Sequence, residues 1–171
     1  REILQRSTPE AIYVDASDGA AIEAALEDTD AVALGPGLGT KAFAVELANK
    51  VAEGPQRPLV IDADALNLAA EGILDLRALG KSRPVLSTPH AGEMSRLLAE
   101  SKSNVIEDRL TALREAVERF GHCFLLKGTP SLIASPDSRI LVGSQGTSDL
   151  AVAGMGDTLT GVCGALLAQG L

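Results

Sequence analysis

Short apolar runs alternate with longer amphipathic segments along this chain, and this alternation limits the fold more than any other feature. The runs are three or four residues long and lack polar alternation, as at residues 31–34, 59–61, 85–87 and 123–126. Such runs are typical of strands buried on both faces, and a helix between consecutive strands makes those strands parallel. The sequence therefore predicts an α/β fold, with a mostly parallel sheet and helices on both faces.

The segments between these runs have helical spacing and recognisable ends. The clearest covers residues 105–120 and carries an apolar stripe at steps of three and four: Ile106, Leu110, Leu113, Val117 and Phe120. This stripe predicts one helix with a face against the core. Two later runs, 131–134 and 140–142, flank turn-forming residues and predict a hairpin. We expect further helices at residues 40–53, 66–70, 92–98 and from 154 onward.

Length and composition fit one globular domain and exclude two classes of function. The chain has 171 residues, 46% of them hydrophobic, and a net charge of −8 from 15 basic and 23 acidic residues. Aromatic residues make up only 2%, so the chain neither attracts a phosphate backbone nor offers platforms for stacking bases. No apolar run approaches the length of a membrane span. We therefore expect no nucleic-acid partner and no membrane association.

The two cysteines, Cys123 and Cys163, lie far apart and have no second metal ligand at a suitable spacing. Such cysteines are typical of reduced thiols in the core of a cytosolic protein, rather than of a disulfide framework or a zinc site. The sequence therefore predicts a cytoplasmic protein without dedicated metal-binding residues.

Two glycines precede the last predicted helix and mark a candidate site. Gly154 and Gly156 allow the backbone to approach a ligand, and the free N–H groups of a helix N-terminus favour an anion by about 0.3–1 kcal/mol per charge. Asp157 is placed to accept a proton from a bound hydroxyl, which typically contributes about 10²–10⁴ in rate. Alternatively, Asp157 only caps the helix and the glycines only form a turn. The pattern favours the two interpretations equally.

A second candidate segment follows the run at 123–126. It offers a cation, a flexible residue and hydroxyl groups that suit the phosphates or ribose of a nucleotide: Lys127, Gly128, Thr129, Pro130 and Ser131. The alternative is a lysine that only marks the exposed end of a strand. The segment is not a Walker A loop, because no Gly-Lys-Thr or Gly-Lys-Ser closes a six-residue glycine frame.

Two other strand ends carry unusual residues. His90 lies in a Pro-Gly loop after a strand, where a side chain points into a crevice, although a single histidine is more often structural. His122, at the start of a strand, is interpreted as structural. Residues 35–39 contain three glycines, including Gly37. The glycines either form a turn or allow another group to pack closely against the backbone.

An acidic, amide-bearing cluster follows the run at 59–61. Asp62, Asp64 and Asn67 are suited to hold Mg²⁺ through water or to bind a ligand hydroxyl. Capping of the following helix by Asp62 or Asp64 is the alternative. The sequence leaves both interpretations open.

Five segments occur in a recognisable order from Ala31 onward: GPGLG at 35–39, IDADALN at 61–67, TPHAGE at 88–93, KGT at 127–129 and GTSDLAVAGMGD at 146–157. Single segments are shared with other ribokinase-like kinases, whereas the full set in this order is much more specific. With this set, the chain resembles the ADP/ATP-dependent NAD(P)H-hydrate dehydratase family, a branch of the ribokinase-like superfamily.

The resemblance implies a ribokinase-like fold and a repair reaction. Hydrated NADH or NADPH, written NAD(P)HX, is returned to the normal cofactor when its ring hydroxyl is phosphorylated and phosphate is then eliminated. ADP is implied as the phosphoryl donor with ATP as the alternative, Mg²⁺ as a cofactor and a homotetramer as the assembly. The alternative function is a ribokinase-like kinase that phosphorylates a small alcohol such as a vitamin precursor.

The resemblance also implies roles for single residues. Asp157 matches the catalytic aspartate, which deprotonates the ring hydroxyl and contacts the substrate. Gly37 and His90 match positions that contact the hydrate. Gly156 matches an anion-hole glycine, and residues 127–131 match the loop that holds the nucleotide.

The chain also departs from the family pattern. The usual opening segment, a Gly-Gly-Ser stretch followed by a Gly-Ala-Pro loop, is absent ahead of Arg1, and the closing part after Leu171 is absent too. We therefore expect residues 1–171 to form a single ribokinase-like domain that lacks its N-terminal and C-terminal ends.

Overall fold

Six strands form one sheet, and their order across the sheet is their order along the chain. The computed structural model of the protein describes residue 8 and residues 10–146 and 152–171. The strands in these ranges are β1 (Val32–Leu34), β2 (Leu59–Ile61), β3 (Val85–Ser87), β4 (Cys123–Leu126), β5 (Ser131–Ala134) and β6 (Ile140–Gly143). Strands β1 to β4 pair in parallel, and β4, β5 and β6 pair antiparallel. The predicted mostly parallel sheet and hairpin are both confirmed.

Eight helices precede, connect or follow the strands within the described ranges. They are α1 (Gly19–Glu27), α2 (Ala42–Glu53), α3 (Ala63–Ala70), α4 (Leu76–Ser82), α5 (Ala91–Leu98), α6 (Lys102–Glu107), α7 (Arg109–Phe120) and α8 (Met155–Ala168). In the part of the chain that the structure describes, none of them combines the length and apolar character needed to cross a bilayer.

Alternate residues of the strands face two different layers of helices. In β2, Leu59 and Ile61 belong to the main hydrophobic core, whereas the fully buried Val60 between them does not. Helix α8 packs against β1 and β2, and a Cβ on its Gly164 would lie 3.6 Å from the Cβ of Ala33. Because Ala33 alternates with the core residue Leu34, α8 covers the face opposite the main core. The prediction of helices on both faces is confirmed.

The prediction of one helix over residues 105–120 is wrong. Asp108 interrupts the segment with φ −132° and ψ 75°, and its carboxylate accepts the backbone N–H of Thr111 at 3.0 Å. This bond caps the N-terminus of α7, so the chain turns between α6 and α7. The apolar stripe is therefore broken, and its first two members, Ile106 and Leu110, are exposed.

Cys123 and Cys163 are both free thiols, as expected. Burial is the main cause that raises the pKa of each thiol. A raised pKa keeps a cysteine protonated at neutral pH and lowers its reactivity.

His122 has a structural role, as the sequence predicts. The residue is 4% exposed, and its ring stacks on Phe124 with ring centroids 4.6 Å apart. Its Nδ1–H donates to the carbonyl of Phe120, so Nε2 accepts the hydroxyl of Ser87 at 2.9 Å. Burial lowers the pKa of His122 to about 4. The ring is therefore neutral in the folded protein at physiological pH.

The buried His122 ring is expected to make stability fall in mild acid. Its pKa is about 4 in the folded protein and about 6.5 in an unfolded chain. The unfolded chain therefore binds more protons between these values, and the free energy of unfolding falls as the pH drops through this range, by up to about 3 kcal/mol. Urea unfolding of the parent and of His122→Gln at pH 7 and pH 4.5 measures this. The parent should lose more stability than the variant, whereas an equal loss in both proteins would contradict the assignment.

Candidate active site at the carboxyl ends of the parallel strands

A cleft of about 820 Å³ lies at the edge of the sheet where the parallel strands end. This volume lies within the range of small-molecule sites, and the carboxyl ends of parallel strands are the usual place for them. All six residues predicted to bind nucleotide line the cleft, together with His90: Lys127, Gly128, Thr129, Pro130, Ser131 and Gly156. The fold thus brings together residues from the loops after β3 and β4 and from the start of α8.

The N-terminus of α8 opens on this cleft without a side-chain cap. Gly154 occupies the cap position with φ 84°, and the structure shows no side-chain capping bond there among the described residues. Asp157 lies inside the first turn and is exposed. The alternative that Asp157 only caps the helix is therefore wrong. The N–H of Met155 donates to the carbonyl of Val152 at 3.3 Å, which leaves the N–H groups of Gly156 and Asp157 available to an anion.

Asp157 does not line the cleft but lies on the neighbouring side of α8. It precedes Gly164 by two helical turns, so both residues face the same direction, and Gly164 faces Ala33 of β1. Two turns extend about 10 Å along the helix, which corresponds to about three residues of an extended strand. The spacing thus directs Asp157 towards the side of α8 that faces β1, whereas its chain neighbours Gly156 and Thr158 line the cleft.

Residues 35–39, here called the glycine loop, follow β1 and include the predicted substrate residue Gly37. Gly35 has φ +130°, and a Cβ there would lie 1.7 Å from the carbonyl oxygen of Asp62, so only glycine fits. The N–H of Gly39 donates to Asp64 Oδ2 at 2.7 Å. Gly37 is exposed, with φ +67° and no atom within 4 Å of the place that a Cβ would occupy. The loop is thus fixed at both ends and open in the middle.

His90 caps a helix and also lines the cleft. Its Nδ1 accepts the backbone N–H groups of Gly92 and Glu93 at 2.9 and 3.1 Å, while Glu93 Oε2 accepts the N–H of His90 at 2.8 Å. This capping box begins α5. Because Nδ1 accepts twice, the neutral ring carries its proton on Nε2, which lies 3.5 Å from Glu93 Oε1. The half-exposed ring therefore presents a donor at the cleft.

Lys127 is part of a buried ion pair. Its Nζ donates to Asp62 Oδ1 at 2.6 Å and lies 3.8 Å from Glu93 Oε2. Asp62 is 1% exposed, and its second oxygen accepts the hydroxyl of Thr160 at 2.6 Å. The alternative of a lysine at an exposed strand end is wrong. Asp62 makes no side-chain capping bond to α3, so the capping alternative is wrong for this residue too.

Residues 127–131, here called the lysine loop, are anchored by hydrogen bonds from Arg109. The guanidinium of Arg109 donates to the carbonyl of Pro130 at 2.7 Å and to those of Leu126 and Lys127 at 3.2 and 3.4 Å. Gly128 has φ +152°, a conformation that residues with a Cβ rarely adopt, and this explains the glycine at this position. Sequence reasoning missed Arg109, because it is the first residue of α7 and nothing in its neighbourhood indicates a role in a distant loop.

Part of the last predicted segment, residues 147–151, lies outside the described residues. Gly146, before this gap, lines the cleft, as does Val152 after it. Within the ranges that the structure does describe, no group of three or more His, Cys, Asp or Glu side chains is arranged to hold a metal ion.

A sequence profile of one protein family, described as NAD(P)H-hydrate dehydratase, matches residues 2–171. The chain belongs to this family. The resemblance drawn from the five segments is therefore confirmed, and the match covers the segments that carry the cleft, the glycine loop and Asp157.

One curated relative and two solved structures illustrate the similarity of this family member to known proteins. The ADP-dependent (S)-NAD(P)H-hydrate dehydratase of Neisseria meningitidis is 39% identical over 161 residues, covering 94% of this chain and 53% of the relative. A ribokinase-like superfamily protein from Enterococcus faecalis has a TM-score of 0.86 at 27% identity, covering 99% and 58% of the two chains. The predicted ribokinase-like fold is thus confirmed.

The second structure is the ADP/ATP-dependent NAD(P)H-hydrate dehydratase of Bacillus subtilis, co-crystallised with ATP and Mg²⁺ and soaked with CoA. It has a TM-score of 0.80 at 27% identity, and the match covers 98% of this chain and 59% of that one. This family member spans between about a third and about half of the length of the first curated relatives that it matches.

Loss of Arg109 is expected to loosen the lysine loop. Arg109→Met removes three hydrogen bonds to backbone carbonyls, each worth about 1 kcal/mol, so local opening should become at least about tenfold more frequent. Hydrogen exchange of the peptide covering residues 126–133 measures this opening. Arg114→Met, at an exposed position of the same helix, is the matched control. Equal exchange in both variants would contradict the anchoring role.

Proposed function

We propose that this chain catalyses the nucleotide-dependent dehydration of hydrated NADH and NADPH, which returns them to NAD(P)H. One observation carries the proposal: in a member of the NAD(P)H-hydrate dehydratase family, the exposed Asp157 lies in the first turn of α8, next to Gly156, which lines the cleft, while its own side chain faces away from that cleft. This arrangement suits transfer of a phosphoryl group from a nucleotide on one side of α8 to a hydroxyl on the other.

The cleft supplies the nucleotide side of the reaction. The lysine loop and Gly156 line it, and a Cβ on Gly156 would lie only 3.8 Å from Lys127 Nζ. The same place lies 4.0 Å from Asp62 Oδ2. A phosphate oxygen between Gly156 and Lys127 would accept hydrogen bonds from the free N–H groups of the first turn of α8 and from the Lys127 ammonium. We therefore assign Gly156 and the lysine loop to the nucleotide, and ADP is the proposed donor because the Neisseria relative is named ADP-dependent.

Asp157 supplies the base. Its exposed carboxylate makes no side-chain hydrogen bond to any described residue, so both oxygens are free to accept a proton. When the ring hydroxyl of the hydrate attacks the terminal phosphoryl group of ADP, the bond from that phosphorus to the bridging oxygen breaks, AMP leaves, and the hydroxyl proton passes to Asp157. The C–O bond then breaks as phosphate leaves, a proton leaves the neighbouring ring carbon, and the ring double bond is restored. Gly37 and the Nε2–H of His90 are the proposed contacts to the hydrate.

The charges at the cleft explain why a divalent cation is proposed. Lys127 lies beside two carboxylates, Asp62 and Glu93, Asp157 adds a third in the first turn of α8, and the phosphates of a nucleotide add further negative charge. Both oxygens of Asp62 are engaged, whereas Asp157 and Glu93 Oε1 keep free lone pairs. Mg²⁺ commonly binds one or two carboxylates together with substrate phosphates, so this donor set fits it. When bound, Mg²⁺ neutralises phosphate charge.

The direct test combines the purified chain with hydrated NADH, Mg²⁺ and either ADP or ATP. The proposal predicts that NADH absorbance returns and that phosphate is released, more with ADP than with ATP. Phosphorylation of a vitamin alcohol with no change in the hydrate would instead favour the small-alcohol kinase. Absence of both reactions would overturn the proposal for this chain.

Asp157→Asn is expected to abolish turnover while ADP binding is retained, because the amide cannot accept the proton. The loss should reach about 10²-fold or more. Steady-state rates and ADP titration on the same preparations measure the two effects. Glu115→Gln, at an exposed site on α7, controls for the loss of one negative charge. Activity of the Asp157 variant within a few-fold of the parent would remove this residue from its role.

Lys127→Ala is expected to weaken nucleotide affinity by about tenfold or more and hydrate affinity much less. The substitution removes the only cation of the ion pair and leaves Asp62 as an unpaired negative charge beside the phosphates. Binding titrations of ADP and of the hydrate, performed below the melting temperature of the variant, compare the two effects. Lys81→Ala, an exposed lysine on α4, is the matched control. Equal losses for both ligands would show that Lys127 is only structural.

A further inference from the structure

Asp62 connects four parts of the site. Its Oδ1 binds Lys127 of the lysine loop, and its Oδ2 binds Thr160 of α8. Its backbone N–H donates to the carbonyl of Leu34 at 3.0 Å, and its carbonyl oxygen lies against Gly35 of the glycine loop. The bonded partners Lys127 and Thr160 lie 65 and 98 positions away in the chain. At 1% exposure, its carboxylate is hidden from water.

Local structure alone does not account for this carboxylate. Asp62 occupies the cap position of α3, yet its side chain makes no capping bond to that helix. The next residue, Ala63, has φ +46°, a left-handed conformation that is strained for a residue with a Cβ. An aspartate at a helix start normally stabilises its own helix. Here the side chain binds Lys127 and Thr160 instead, so its position is determined by the site.

The Thr160 contact also reaches the anion site. Thr160 Oγ1 lies 3.0 Å from the carbonyl oxygen of Gly156, one turn earlier in α8, and Thr160 is 2% exposed. The chain of contacts therefore runs from the Lys127 ammonium through Asp62 and Thr160 to the first turn of α8. A buried carboxylate with both oxygens bonded has little freedom to move.

We propose that Asp62 and Thr160 are positioning residues, which hold the Lys127 ammonium and the first turn of α8 in one fixed geometry. The inference rests on the proposed function, in which the phosphates bind between these two groups. Asp62 also balances the charge of Lys127 in the absence of nucleotide. It therefore stabilises the arrangement of the cleft at the expense of some attraction for phosphate.

This role predicts that turnover falls while ADP affinity is preserved or increased. Asp62→Asn keeps the size of the side chain and removes one negative charge beside the phosphates, so ADP should bind as tightly as in the parent or more tightly. Thr160→Val keeps the shape and removes the hydroxyl. In both variants the first turn of α8 loses its fixed position, so kcat should fall by about tenfold or more, with ADP affinity preserved within about threefold for Thr160→Val.

The controls separate positioning from loss of stability. Thr160→Ser keeps the hydroxyl and should restore kcat to within about threefold of the parent. Asp75→Ala removes a capping bond to Ala78 at the start of α4, far from the cleft. This control should lower the melting temperature without lowering kcat when assays are run below that temperature. Parallel losses of ADP affinity, kcat and melting temperature in Asp62→Asn and Thr160→Val would overturn the inference.

Hydrogen exchange of the ligand-free full chain provides a readout that does not require activity. In Asp62→Asn and Thr160→Val, the peptides covering residues 126–133 and 155–163 should exchange faster, whereas β1 and β2 should not change. Unchanged exchange in both variants overturns the inference and leaves the proposed function standing. If the variants exchange faster but the parent protein binds no ADP, the proposed function is overturned, and with it the catalytic part of the inference.

Discussion

The buried ion pair between Lys127 and Asp62 joins the ends of two strands that are not neighbours in the sheet, and the geometry of the site depends on it. Strand β3 lies between β2 and β4, so the 2.6 Å contact spans the segment after β3 that carries His90 and the first turn of α5 with Glu93. Burial of both charges is costly unless they are paired and hydrogen-bonded. Because Thr160 completes the bonding of Asp62, the same pair also fixes where α8 begins. The cleft, the open helix N-terminus and Asp157 therefore keep their relative positions before any ligand binds.

Two loops show how backbone conformation supports this arrangement. Gly35 is required because the carbonyl of Asp62 occupies the place of its Cβ, and Gly128 is favoured because its φ of +152° is one that side chains rarely adopt. Gly35 lets two chain segments approach more closely than a side chain would allow. Gly37, by contrast, has open space around it, which suits contact with a substrate rather than with the protein. The glycines of the sequence therefore belong to two groups, one that packs the site and one that leaves it accessible.

Local patterns in the sequence predicted the strands, the hairpin and the loops that form the site, because apolar runs and turn residues act over a few positions. The same reasoning failed at Asp108, where one hydrogen bond to Thr111 starts a new helix inside a continuous apolar pattern. It also left Asp62 as a cap or a metal ligand, since its partners lie 65 and 98 positions away and no local spacing indicates them. Arg109 and Thr160 were missed for the same reason. Long-range pairing of buried polar groups is determined by the packed fold, which a single sequence does not display.

The central claim is that a nucleotide binds with its phosphates between Lys127 and the first turn of α8, on the side of that helix away from the glycine loop. A crystal structure of the chain with Mg²⁺ and ADP tests it most directly. The account predicts phosphate oxygens within hydrogen-bond distance of the Gly156 N–H and the Lys127 ammonium, with Asp157 facing the glycine loop. A nucleotide bound elsewhere, for example in the cavity of about 510 Å³ between α7 and the β5–β6 turn, with the Gly156 backbone free, would contradict the account.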